Sequence, residues 1–111
     1  MAVTGPDFIA LQVRDLEKAA RFYEEVVGLA RAPFSPPHAV VFDTQPTFAV
    51  RDRGPGVDLD SGQVGLGVAL WLHDPDAVAL HATVAAAGAV VVQEPFEGPF
   101  GTTFVFQDLD G

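Results

Sequence analysis

The chain repeats itself. An offset of 59 residues carries Phe8 onto Gly67, and with it Ala10 onto Ala69, Leu11 onto Leu70, Asp15 onto Asp74 and Ala20 onto Ala79. Farther along, Pro33-Phe34 falls on Pro95-Phe96 at an offset of 62, which also takes Pro37 to Pro99 and Phe42 to Phe104. The drift from 59 to 62 needs only a small loop insertion. Two copies are too few for a solenoid, which takes at least about three stacked repeats to bury a continuous core. The halves must therefore pack on each other. With 111 residues there is length for one core and not for a second independent domain. The expectation is a single domain over 1–111, with module one at about 5–51, a connector at 52–63 and module two at 64–111.

Each copy follows one grammar. Phe8 to Val13 is a short apolar run of strand formers. After it comes Asp15, suited to an N-cap, and then Leu16, Ala19, Ala20, Tyr23, Val26 and Val27 on one face at helical spacing, closed by Gly28. Gly67 to Leu72 repeats the strand. Asp74 and Pro75 suit the N-cap and first helical position, Leu80, Val84 and Ala87 supply the buried stripe, and Gly88 ends it. Strand-like runs follow the Pro-Phe turns, Ala39 to Phe42 and Thr47 to Arg51 in the first copy and Thr102 to Phe106 in the second. The connector holds turn formers and acidic residues. Asp58, Asp60 and Gly62 echo a calcium loop only faintly, without its further acidic ligands or closing Glu.

Composition removes whole classes of function. Six Lys and Arg against fifteen Asp and Glu give a net charge of −9, which repels phosphate backbones and anionic membranes and favours cations; nucleic acid and membrane surfaces are not expected partners. Without cysteine there is no disulfide frame, thiolate metal site or cysteine nucleophile. The apolar runs are too short and too broken by glycine to span a bilayer. Met1 to Asp7 has neither a basic region nor an apolar signal core, so the expected compartment is the cytoplasm. Ser35 and Ser61 stand in loops with no Gly-x-Ser-x-Gly elbow, and no phosphate-binding glycine motif is present.

Two βαβββ modules of this length, with Val13-Arg14-Asp15-Leu16-Glu17-Lys18-Ala19, Phe22-Tyr23, Val27-Gly28-Leu29, Asp74 to Gly88 and a closing Phe106-Gln107-Asp108-Leu109-Asp110-Gly111, resemble the vicinal oxygen chelate superfamily of glyoxalases, extradiol dioxygenases and bleomycin-resistance proteins. The resemblance implies an α+β fold in which the two modules form a curved, cup-like mixed sheet with helices outside. It also implies metal ligands near the start of the first strand of each module. Those positions hold Phe8 and Gly67, neither of which has a ligating side chain. The expectation is accordingly no metal, no cofactor and no catalytic residue.

Within that family geometry, strand alternation turns Phe8, Ala10 and Gln12, and likewise Gly67, Ala69 and Trp71, toward the cup. The expected ligand-binding residues are Phe8, Gln12, His38, Phe42, Phe48, Arg51, Trp71 and Phe104: aromatics for stacking, Gln12 for orienting a polar group, Arg51 at the rim, and His38 at the mouth of a strand. His73 and His81 read as loop and helix-surface residues. The expected function is metal-independent sequestration of a small aromatic, cationic molecule, as in antibiotic resistance, by a homodimer. Two alternatives stay open: a metal-dependent lyase or dioxygenase, and a non-catalytic interaction module whose cup is filled by its own side chains. At the offset of 62, the strand Phe48 to Arg51 recurs at 110–113, so module two is one strand short within 111 residues. The expectation is a further C-terminal segment or an edge covered by another chain.

Overall fold

Apolar residues alternate with small or polar ones from Phe8 to Val13, and in the computed structural model, which describes residues 3–111, this run is strand β1. Met1 and Ala2, part of the segment searched for a signal core, lie outside the described residues. Backbone proximity divides the chain after Asp58 into two compact units, a boundary inside the expected connector.

In the first unit Asp15 caps helix α1 (Leu16–Arg21), its Oδ1 accepting the Lys18 N–H at 3.1 Å. Past Arg21 the helix widens into π-helical turns over Phe22–Val27, ending at Gly28, whose φ of 95° suits glycine. This widening corrects the expected stripe. Longer turns seat Phe22 beside Tyr23, both buried, and leave Val26 and Val27 only half-buried.

β2 (Ala39–Phe42) and β3 (Thr47–Asp52) complete a sheet in the order β1-β3-β2, with β1 parallel and β2 antiparallel to β3. Residues paired across neighbouring strands share a face. On one face, Val13, Val40, Phe42, Phe48 and Val50 are buried, and α1 packs on β2 and β3. Tyr23 sits 5.0 Å from Phe48 and 6.2 Å from Phe42, ring centroid to centroid, and the two phenylalanines stack at 5.8 Å. This aromatic trio is the unit's core. Beside β2 the chain makes ladder bonds from the Ala32 N–H to the Val41 carbonyl (2.9 Å) and from the Asp43 N–H to the Ala30 carbonyl (2.8 Å).

In the second unit, helix α2 (Ala77–Ala86) packs on a hairpin of β4 (Val91–Gly98) and β5 (Gly101–Phe106). The cap is Asp76, not the expected Asp74. Asp76 accepts the Ala79 N–H at 3.0 Å, while Asp74 accepts the Asp76 N–H at 2.8 Å and shapes the approach. Pro75 therefore precedes the helix. Val84 is fully buried and Leu80 half-buried, but Ala87 is exposed. Pro95-Phe96 is not a turn but part of β4, at a register irregularity where the ladder does not require the N–H that proline lacks. The reversal falls at Pro99-Phe100 instead.

The largest departure is Gly67–Leu72, expected as a strand and irregular in the structure. In the first unit β1 owes its ladder to β3. No described segment pairs with 67–72. A strand sequence without a partner has nowhere to place its N–H and C=O groups except water. The closing Asp108-Leu109-Asp110-Gly111 is a turn tied by Asp108, whose Oδ1 accepts the Asp110 and Gly111 N–H groups at 3.0 Å each. The whole is a mixed α+β fold with two sheets and few helices. No helix among the described residues is long and apolar enough to cross a membrane.

Candidate functional site

The face of the β1-β3-β2 sheet opposite α1 carries Phe8, Ala10 and Gln12 from β1, Thr47, Ala49 and Arg51 from β3, and Ala39 and Val41 from β2. Small residues make its floor, which is only partly open: Ala10 is exposed, Ala49 opposite it across the ladder is 1% exposed, and Ala39, facing Arg51, is half-buried. Around that floor stand Phe8, 54% exposed, at one end and the register pair Gln12 and Arg51, both exposed, at the other. Phe8 and Gln12 are four residues apart on one strand, which is about 13 Å at the usual rise.

Two polar contacts shape the second end. Gln12 Oε1 accepts the Gly54 N–H at 2.7 Å, tying the loop after β3 to β1. That loop, Arg53 to Asp58, borders an open depression of about 590 Å³. Sequence reasoning missed this tie, whose signal was the Gly54-Pro55-Gly56 turn directly after the strand. Arg51 bonds only its own strand end, Nε donating to the Asp52 carbonyl at 3.2 Å, and no carboxylate among the described residues lies within ion-pair distance of it. Arg31 is the contrast. Its guanidinium donates to Glu17 at 3.0 Å and to Glu24 at 3.1 Å, and the hydrogen bond it gives Glu17, with Glu24 adding to it, holds its pKa above the ordinary arginine value.

The structure divides the expected ligand-binding residues. Phe8, Gln12 and Arg51 share the open face. Phe42 and Phe48 do not: they lie on the helix side, 1% and 5% exposed, under Tyr23. Because Arg51 and Ala49 face one way, the alternation that places them excludes Phe48 from the same face. Phe104 is likewise turned to a helix, 5.3 Å from the His81 ring on α2 and stacked at 5.5 Å on Phe106. His81 is half-buried there, with Nε2 2.7 Å from Glu94 Oε2, a helix-to-hairpin clip. Trp71, expected on a strand, stands 65% exposed in the irregular segment with its ring edge-on to Phe100 at 5.7 Å. His38 precedes β2 in a left-handed conformation, φ 67°. Both its carbonyl, accepting the Asp52 N–H, and its ring, Nδ1 3.0 Å from Asp52 Oδ2, engage Asp52.

The family resemblance places metal ligands at Phe8 and Gly67, and the residues present do not fit a divalent ion. Phe8 is a hydrocarbon ring, Gly67 has only backbone, and among the described residues no three His, Asp or Glu side chains converge.

Comparison with known proteins gives the fold a family. TnmS3, an antibiotic binding protein from Streptomyces sp. CB03234, is similar with a TM-score of 0.74 at 26% identity, covering 100% of this chain and 92% of that one. UcmS2 is similar with a TM-score of 0.76 at 25% identity, covering 99% and 94%. A glyoxalase/bleomycin resistance protein from Streptomyces sp. CB03234 gives 0.71 at 26% identity, covering 94% and 91%. No curated protein matches the chain. The family model that matches residues 5–111 takes in every helix and strand of both units, and the chain belongs to the Glyoxalase/Bleomycin resistance protein/Dioxygenase superfamily.

Proposed function

We propose that the protein binds and sequesters a small aromatic molecule, using the open face of the β1-β3-β2 sheet and no metal, and that it does so as a homodimer. One observation carries the reading: Phe8, Gln12 and Arg51, all exposed, stand on one sheet face with exposed Ala10 between Phe8 and Gln12, while Tyr23 packs on Phe42 and Phe48 of the other face. A flat floor beside an exposed aromatic ring suits a planar ligand, and two side chains with N–H donors give it an orientation. Its likeness to an antibiotic binding protein supports the same reading. The long exposed apolar stretch containing Leu66, Val68, Leu70, Trp71 and Leu72 supports a second subunit, since a soluble monomer rarely leaves so much apolar surface in one place.

A thermal-shift screen against planar aromatic antibiotics and metabolites tests the binding. A ligand at 100 times its Kd stabilises by about 2.7 kcal/mol, a rise in Tm on the order of ten degrees for a chain this size. Phe8→Ala is expected to abolish most of that rise. If the hits shift Phe8→Ala as much as the wild type, the open face is not the site. Sedimentation equilibrium is expected to return twice the monomer mass; a monomer at high micromolar concentration removes the dimer from the proposal.

A further inference from the structure

We infer that the ligand of this face is a planar aromatic compound bearing a hydrogen-bond acceptor of negative charge, a carboxylate or an ionised enol, seated between Gln12 and Arg51. The inference rests on the proposed binding role of the open face and names the chemistry it selects. A net charge of −9 favours cations at a distance. At contact range the sign is reversed. At physiological salt the screening length is about 8 Å, so carboxylates elsewhere on the surface are weak at this spot while a direct partner is not.

What this end of the face offers is donors. Gln12 Oε1 is turned to the Gly54 N–H, from which it accepts at 2.7 Å on one of its two lone pairs, and this fixes which end of the amide is oxygen. Its NH2 remains. Arg51 spends Nε on the Asp52 carbonyl and keeps its terminal nitrogens, with no ion-pair partner among the described residues. Asp52, the next residue, alternates to the other face and is engaged by His38 at 3.0 Å. Gln12 and Arg51 are directly opposed across the β1–β3 ladder, so their remaining donors flank one position. A carboxylate there receives a charge-assisted pair, whereas an ammonium meets the like charge of Arg51 and an amide oxygen already held by Gly54. The span of about 13 Å from Phe8 to Gln12 matches an aromatic body of roughly three fused rings plus its acid group.

The test uses the wild-type chain and three matched probes: anthracene-2-carboxylate, anthracene-2-carboxamide and 2-(aminomethyl)anthracene, with Kd from calorimetry in 0.15 M salt. The carboxylate is expected to bind at least about tenfold more tightly than either of the others. Arg51→Gln is expected to bring it level with the amide, and Arg51→Lys to restore part of the difference. Gln12→Glu keeps an acceptor for Gly54 while removing the NH2, and is expected to favour the ammonium. Equal or tighter binding of the ammonium by wild type, a preference that survives Arg51→Gln, or no carboxylate binding up to millimolar concentration overturns the inference. Phe8→Ala separates the two levels. If it weakens all three probes while the carboxylate has no advantage, the face binds aromatics and only the charge assignment fails; if it changes none of them, the face itself is not the site.

Discussion

Phe8 and Phe48 are both phenylalanines on neighbouring strands, one residue out of register, and they have opposite environments. Phe48 is 5% exposed beneath Tyr23, and Phe8 is 54% exposed. Phe48→Ala is expected to cost about 3–5 kcal/mol, because a ring is lost from a packed trio and a cavity remains. Phe8→Ala is expected to stay within about 0.5 kcal/mol. Urea unfolding of the two variants checks both, and a Phe8→Ala loss as large as that of Phe48→Ala would contradict the face assignment. Strand parity alone makes that contrast legible. Placing Arg51, Ala49 and Thr47 on one face sends Phe48 and Val50 to the other, so residue type misassigns Phe48 where parity assigns it. Phe42 and Phe104 need more, since only a strand register and a helix position say which side of a sheet a helix takes.

At the level of elements, sequence is a good guide where the chemistry is local. Asp15 caps α1 as its spacing predicts. The second helix shows the limit, because Asp74-Pro75-Asp76 offers two caps two residues apart, and sequence does not rank them. In the structure Asp76 holds the helix N–H and Asp74 holds Asp76. Asp76→Ala is expected to cost about 1 kcal/mol, and Asp74→Ala distinctly less, as read by shifts in the denaturation midpoint. If Asp74→Ala were the costlier change, the cap would have to be reassigned to it. Gly67–Leu72 departs from expectation for a different reason. Its alternation is as strand-like as that of Phe8–Val13, but a strand is a property of a pair, and composition holds no record of the partner. The π-helical turns of Phe22–Val27 are equally invisible, since no residue in that run signals wider turns.

For the whole molecule, the duplication is the most informative signal, and it survives in unequal form. The pairing of Ala30 and Ala32 with β2 in the first unit corresponds, at an offset of 62, to the β4–β5 hairpin of the second, and the two units differ in which strands they complete. That inequality has a kinetic consequence. Every β1–β3 pair, from Phe8 with Thr47 to Val13 with Asp52, joins residues 39 positions apart, whereas the hairpin closes between Gly98 and Gly101. Loop closure is slow when the loop is long. The face that carries Phe8, Gln12 and Arg51 thus exists only after a distant segment has been found, and substitutions such as Ala10→Gly are expected to speed unfolding more than they slow folding, as stopped-flow chevrons report. The parallel strand that builds the open face is, on this argument, the last pairing expected to form as the chain folds.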